Sequence, residues 1–234
     1  EIAILSRVGK PTCFVVTDID ESTDPPTAWL SRTIVQQKAQ DRLLDSLRPG
    51  DVIPARVTHL EPFGAFVDAG CGVPSLIGIE NLSVSRICHP SDRLTVGQSI
   101  LAAVRTVEPE NRRISLTHRE LLGTWAQNAA LFSVGETVRG VVRSIEPYGV
   151  FIELTPNLSG LAEPRADLHP GMAVSVYIKS ILPQRMKVKL TVIDVLSPYD
   201  APTPPRYFIT GGHIDEWTYT PVGCDKKPVK TVFE

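Results

Sequence analysis

EPFGAFVDAG at residues 61–70 returns almost unchanged as EPYGVFIELT at residues 146–155, an offset of 85 residues from Phe63 to Tyr148. A fixed offset marks a repeated unit. Extended back to the preceding glycine, GDVIPARVTHLEPFGAFVDAG from Gly50 and GETVRGVVRSIEPYGVFIELT from Gly135 are identical at 6 of 21 positions, and most of the rest exchange like for like. Both read as strand, turn, strand: 52–60 then 63–69, and 137–145 then 148–154. The E-P-aromatic-G linker supplies the turn chemistry.

Each unit continues in the same order. A short apolar segment follows, PSLIGIENL in the first and LSGLAEP in the second. A glycine then leads a strand, VGQSILAAVRTVE from Val96 and HPGMAVSVYIKSI from His169. An alternating strand closes each unit, RRISLT and MKVKLT. Ile114 and Leu116, like Val188 and Leu190, point to one face; Arg113 and Ser115, like Lys187 and Lys189, point to the other. Five short half-buried strands in about 70 residues describe a small closed antiparallel barrel. The fold class expected is mainly β: tandem five-stranded antiparallel barrels linked by short helices.

A partial third copy opens the chain. VGKPTCFVVTDID from Val8 parallels VGQSILAAVRTVE, and Leu30-Ser31-Arg32 parallels Leu116-Thr117-His118. Residues 1–32 are therefore read as the C-terminal half of a repeat whose front half is expected upstream of Glu1. Residues 33–49, with Ile34, Val35, Leu43, Leu44 and Leu47 on one stripe before Pro49-Gly50, predict a linking helix. Residues 120–134, with Leu121, Leu122, Trp125, Ala129 and Phe132, predict a second. The full repeats occupy 50–119 and 135–195. Residues 196–234 form a Pro-rich linker and a β extension, in which RYFIT and EWTYT read as two paired strands. Its Trp217, Tyr207 and Tyr219 either stack bases or, the favoured reading, cover an exposed side of the last barrel.

Composition narrows the function classes. The chain is 42% hydrophobic and 21% charged, an ordinary globular balance, and its net charge of −2 argues against a polycationic coat without excluding a local basic face. Cys13, Cys71, Cys88 and Cys224 are scattered, with no C-x-x-C pair, and read as reduced thiols of a cytoplasmic protein. No apolar run of about 18 residues is present, so no membrane partner is expected. There is no Ser/His/Asp set, recurring carboxylate pair, metal-ligand spacing or phosphate loop, so neither catalysis nor a cofactor is expected.

F-G-A-F-V at 63–67, the glycine-led strand and R-I-S-L-T, in order and twice over, resemble the S1 RNA-binding domain. This is an OB-fold repeat of the large RNA-binding protein of the bacterial small ribosomal subunit. The resemblance covers 50–119 and 135–192, with 1–32 as a half repeat. It implies single-stranded RNA, messenger or ribosomal, as partner, with the ribosome as a further one and a place in translation.

The chemistry suits that partner, because aromatics stack bases and Lys or Arg meet phosphates. The candidates are Phe63, Phe66, Arg56 and Arg113 in the first unit, and Tyr148, Phe151, Arg143, Lys187 and Lys189 in the second. Strict alternation would put Phe63 and Phe66 on opposite faces and Phe66 in the core, whereas a bulge or kink at Gly64 would bring both outside. The resemblance implies the second arrangement. Two departures weigh against strong binding. Family members that bind RNA usually carry a His where this chain has Gly78 and Glu163, and Glu153 adds negative charge after the second aromatic pair. The first unit is therefore expected to bind more strongly. The alternative is an interaction scaffold of barrels that has lost most RNA binding.

Overall fold

The computed structural model describes residues 13–196 and 204–234. The start of the partial repeat, 1–12, and most of the Pro-rich stretch lie outside the described residues. Strands β3 (Val52–Glu61), β4 (Gly64–Asp68), β5 (Pro74–Gly78), β6 (Ser99–Glu108) and β7 (Arg113–Thr117) close into one barrel. Strands β8 (Thr137–Glu146), β9 (Gly149–Thr155), β10 (Leu158–Ala162), β11 (Ala173–Leu182) and β12 (Lys187–Val195) close into a second with the same neighbour order. Successive strands alternate in direction, so the third and fifth of each barrel run the same way where they meet. The seams β5–β7 and β10–β12 are accordingly parallel, and the other pairings are antiparallel.

Period-two alternation fills both interiors. Ala65, Val67, Ile77, Ile114 and Leu116 are buried in the first barrel, and Val150, Ile152, Ile178, Val188 and Leu190 in the second.

The repeated phrase makes the first hairpin of each barrel. Glu61 pairs with Gly64 and Glu146 with Gly149, leaving Pro62-Phe63 and Pro147-Tyr148 as two-residue turns. Proline presets φ for the first turn residue. Among described non-glycine residues only Cys71, Arg112 and Met186 have positive φ, so neither aromatic sits in a primed turn. Unprimed turns splay a hairpin, and a bulge restores local twist. One is present in each, at Thr58 between Val57 and His59 and at Arg143 between Val142 and Ser144. The glycine after each aromatic is required by a close approach: a Cβ on Gly64 would lie 2.4 Å from the Ile77 carbonyl oxygen, and one on Gly149 would lie 2.6 Å from that of Ala162.

Helix α1 (Arg32–Ser46) is N-capped by Ser31 and packs Leu44, Leu43 and Leu47 onto the first barrel. Gln40 donates to the Cys71 carbonyl at 3.1 Å, and Asp41 pairs with Arg112 at 3.0 Å. The hairpin of β1 (Val15–Asp20) and β2 (Thr27–Ser31) precedes it as a separate two-stranded sheet. The second linking helix is shorter than the sequence suggests. α2 spans only Trp125–Ala129, because Gly123 (φ +86°) breaks the chain after a 3-10 turn and Thr124 with Gln127 starts anew through a capping box.

The extension also differs from expectation. β13 (Glu216–Thr218) pairs forward with β14 (Lys230–Val232), and RYFIT is not a strand. Trp217 and Tyr219 are 4% and 5% exposed within the second barrel's core cluster, so they cover apolar surface. The Tyr219 hydroxyl donates to the Asn157 carbonyl at 2.6 Å, and burial pushes its phenol pKa up. The same extension grips the first barrel: Val52 N–H donates to Gly212, Ile214 N–H to Gly50, and Leu101 N–H to the Tyr207 hydroxyl.

Between the barrels lies a buried polar seam. Arg93 forks onto Glu153 at 2.8 and 2.5 Å, and Glu153 also accepts from Arg143 at 2.9 Å. Burial pulls the Arg93 pKa down, and Glu153 opposes that pull. Asn157 accepts from Val84 N–H and donates to the carbonyls of Arg119 and Gly123, tying the linker between both barrels. His118 contacts the Leu82 carbonyl at 3.2 Å and the Tyr207 hydroxyl at 3.1 Å, in complete burial. Desolvation, with Arg93 nearby, pushes its pKa down from 6.5 to about 4 despite the Leu82 contact.

Two stability measurements test this seam. Glu153→Ala leaves Arg93 and Arg143 without their shared carboxylate, and should cost about 3–5 kcal/mol in urea unfolding. A cost below about 1 kcal/mol would show that the fork does not hold the barrels together. His118 stays neutral in the fold while the unfolded chain takes up a proton, so stability falls as pH drops from 6.5 towards about 4. By pH 5 the loss is about 2 kcal/mol relative to pH 7. His118→Gln should be less stable at pH 7 yet lose correspondingly less on acidification; equal losses would mean that His118 is charged in the fold.

Candidate nucleic-acid interface

The two hairpin tips carry the same aromatic arrangement. Phe63 is 56% exposed on its turn and meets Phe66 edge-to-face at 6.0 Å; Tyr148 is 67% exposed and meets Phe151 edge-to-face at 6.2 Å. Phe66 and Phe151 are half-buried on the outer surface, because Ala65 and Val67, and Val150 and Ile152, take the inward positions beside them. Phe66 is therefore not core. The period-two conflict disappears because Phe63 lies in the turn, outside any strand; the bulge is on the opposite strand at Thr58 and not at Gly64.

From each inner aromatic an outward row crosses the sheet. In the first barrel it runs His59, Phe66, Leu76, Ser115 and Thr106; in the second, Ser144, Phe151, Leu161, Lys189 and Ser180. The second row thus places an exposed lysine beside an apolar shelf where the first has Ser115. Lys187 is two residues along β12, also exposed, and Arg113 is its counterpart opposite Glu108. Arg56 lies on β3 opposite Asp68, one outward pair beyond His59 and Phe66, with its Nε donating to the Gly97 carbonyl at 3.2 Å.

Arg143 does not join the aromatic face. As the bulge residue of β8 it turns into the seam between barrels, where Glu153 and Asp92 hold it. Glu153 is likewise removed: its side chain is 7% exposed and lies under Arg93. The expectation that Glu153 opposes phosphate beside the second aromatic pair therefore loses its basis, and with it part of the case for a stronger first unit.

The two positions departing from the family's histidine behave alike. Glu163 is exposed beside the second groove and pairs with Lys179 at 3.1 Å. Gly78 leaves room that the Glu80 carboxylate fills, since a Cβ there would come within 2.6 Å of it. Each barrel thus carries one carboxylate at this spot.

Residues that sequence reasoning passed over complete the second groove. Tyr148, Phe151, Lys187 and Lys189 line one open groove with Lys179 and Lys226. Lys179 was legible as an outward residue of β11 near the end of the glycine-led strand. Lys226 was not, since it comes from the extension. Arg105, the first barrel's counterpart of Lys179, instead donates to the side-chain oxygen of Asn81 at 3.0 Å. His59, exposed beside Phe66 at 6.5 Å between rings, was also passed over; its Nε2 lies 2.7 Å from Glu61. Among the described residues no group of three or more His, Cys, Asp or Glu is placed to hold a metal ion, and no helix is long and apolar enough to cross a membrane.

The family model described as S1 RNA binding domain matches residues 46–119. Small ribosomal subunit protein bS1 of Staphylococcus aureus is 32% identical over 190 residues, covering 74% of this chain and 48% of that protein. The bS1 of Staphylococcus epidermidis matches with the same identity and coverage. The solution structure of GSP13 from Bacillus subtilis is 27% identical, with a TM-score of 0.31 over 36% of this chain and 60% of that one. The chain spans about half the length of the curated relatives it matches. Residues 46–119 thus match the S1 RNA binding domain family, and the chain is homologous to bacterial ribosomal protein bS1 over part of its length.

Proposed function

We propose that this protein binds single-stranded RNA, without catalysis, on the outer faces of its two barrels. The observation that carries the reading is the duplicated pair of edge-to-face aromatics, one exposed on the hairpin turn and one half-buried beside it. Flat bases stack on such rings without sequence preference, and the lysines and arginines on the neighbouring strand meet the backbone. Phe63, Phe66, Arg56 and Arg113 serve the first face in this reading, and Tyr148, Phe151, Lys187 and Lys189 the second. Arg143, named from sequence, holds the barrels together instead. Relationship to bS1 supports messenger or ribosomal RNA as partner, work in translation at the ribosome, and a cytoplasmic location.

The rival is an interaction scaffold, favoured by the carboxylates of Glu80 and Glu163 where the family usually carries histidine. Binding of a short oligouridylate by the intact chain separates the two. Phe63→Ala and Tyr148→Ala should each weaken binding by about 1–3 kcal/mol and leave the salt dependence nearly unchanged. Arg113→Ala and Lys187→Ala should instead flatten the log–log salt slope by roughly 0.7 for each phosphate no longer neutralised. If the intact chain binds no single-stranded RNA at low salt, the scaffold reading replaces this one.

A further inference from the structure

We infer that the C-terminal extension forms part of the second barrel's groove and that Lys226 is a phosphate-contacting residue there; the inference rests on the RNA-binding reading above. The loop between Tyr219 and Val229 is anchored at both ends. Tyr219 and Trp217 are buried in the barrel's core cluster, Tyr219 N–H donates to the Val229 carbonyl at 2.9 Å, and Val229 N–H donates to Thr220 Oγ1 at 2.8 Å. Its tip docks as well: Asp225 N–H donates at 3.0 Å to the carbonyl of Gln184, in the turn Pro183–Arg185 that leads into β12. The next residue, Lys226, therefore stands over the groove that holds Tyr148, Phe151, Lys187 and Lys189.

Charge argues for a ligand there. Four lysines, Lys179, Lys187, Lys189 and Lys226, share the groove with one carboxylate, Glu163. Among the described residues only Lys179 of the four is in an ion pair. Gathering like charges on a chain whose net charge is −2 costs repulsion that a bound polyanion relieves. The first barrel makes the opposite choice at the equivalent turn. There Arg112 precedes β7 as Met186 precedes β12, both with positive φ, and helix α1 brings Asp41 to neutralise it. One barrel thus receives an acid from its flanking element, and the other receives a lysine.

The test uses the full chain, a short oligouridylate and fluorescence anisotropy over a series of salt concentrations. Lys226→Ala should weaken low-salt binding severalfold and lower the log–log salt slope by roughly 0.7. Lys226→Arg should restore the slope, and Lys226→Glu should weaken binding further. Urea midpoints should match the parent, since the loop is held by backbone bonds. Tyr148→Ala runs beside them and should weaken binding with the slope kept. If Tyr148→Ala weakens binding but Lys226→Ala changes neither affinity nor slope, this inference fails and the RNA reading stands. Tighter binding by Lys226→Ala would mean that the loop occludes the groove, which also overturns it. Absence of any low-salt binding by the parent chain overturns both.

Discussion

The contact on which each barrel turns is the approach of a backbone to a backbone at Gly64 and Gly149. A β-carbon at either site would lie within 2.6 Å of a carbonyl oxygen on the next strand. Only glycine lets β4 close on β5 and β9 close on β10 at that point. Closure there permits the parallel seam that completes each barrel, and it turns the preceding aromatic outward on a two-residue turn. The exposed ring and the tight closure are thus two consequences of one missing side chain. Proline before the aromatic and the bulge on the partner strand follow from the same turn, because the unprimed geometry must be compensated by extra twist.

The barrels are joined differently. Their contact combines apolar packing, in which Ala103, Leu101 and Val52 of the first barrel join the second barrel's core cluster, with satisfied polar groups: the Arg93–Glu153–Arg143 fork, Asn157 with three backbone partners, and neutral His118 between Leu82 and Tyr207. Such groups are costly when half satisfied and specific when fully satisfied, so they define one relative placement. The extension reinforces it by bonding both barrels, with Gly50, Val52 and Leu101 on one side and Asn157 and Gln184 on the other.

That seam sorts the charges. Glu153 and Arg143 are consumed inside it, and the face around Tyr148 and Phe151 is left with its lysines and Glu163. The face around Phe63 and Phe66 has fewer cations, since Arg105 is turned to Asn81 and His59 to Glu61. Two copies of one unit therefore present matching aromatics in unlike electrostatic surroundings. The difference arises partly within the repeats, where Lys189 stands at the position of Ser115, and partly from what packs beside each barrel, Asp41 beside the first and Lys226 beside the second.

Features that depend on near neighbours along the chain were legible in the sequence. Period-two alternation marked Ile114, Leu116, Val188 and Leu190 as inward, and the E-P-aromatic-G phrase marked both turns. The 85-residue offset between the two phrases marked the duplication itself. Local rules failed where a positive-φ glycine cut a helical stripe short at Gly123, and where EWTYT found its partner ahead in the chain. The outward placement of the candidate aromatics was legible from the turn phrase, and that of Lys187 and Lys189 from the regular alternation of their strand. The placement of Arg143 and Glu153 was misread, and the approach of Lys226 to the second groove was not legible. Arg93 reaches Glu153 across 60 positions, and the extension reaches Gln184 from a segment outside the repeat. A charge's role depends on which counter-charge lies within a few ångströms and on whether water is excluded there. Only the packing of one barrel and one tail against the other brought those groups together.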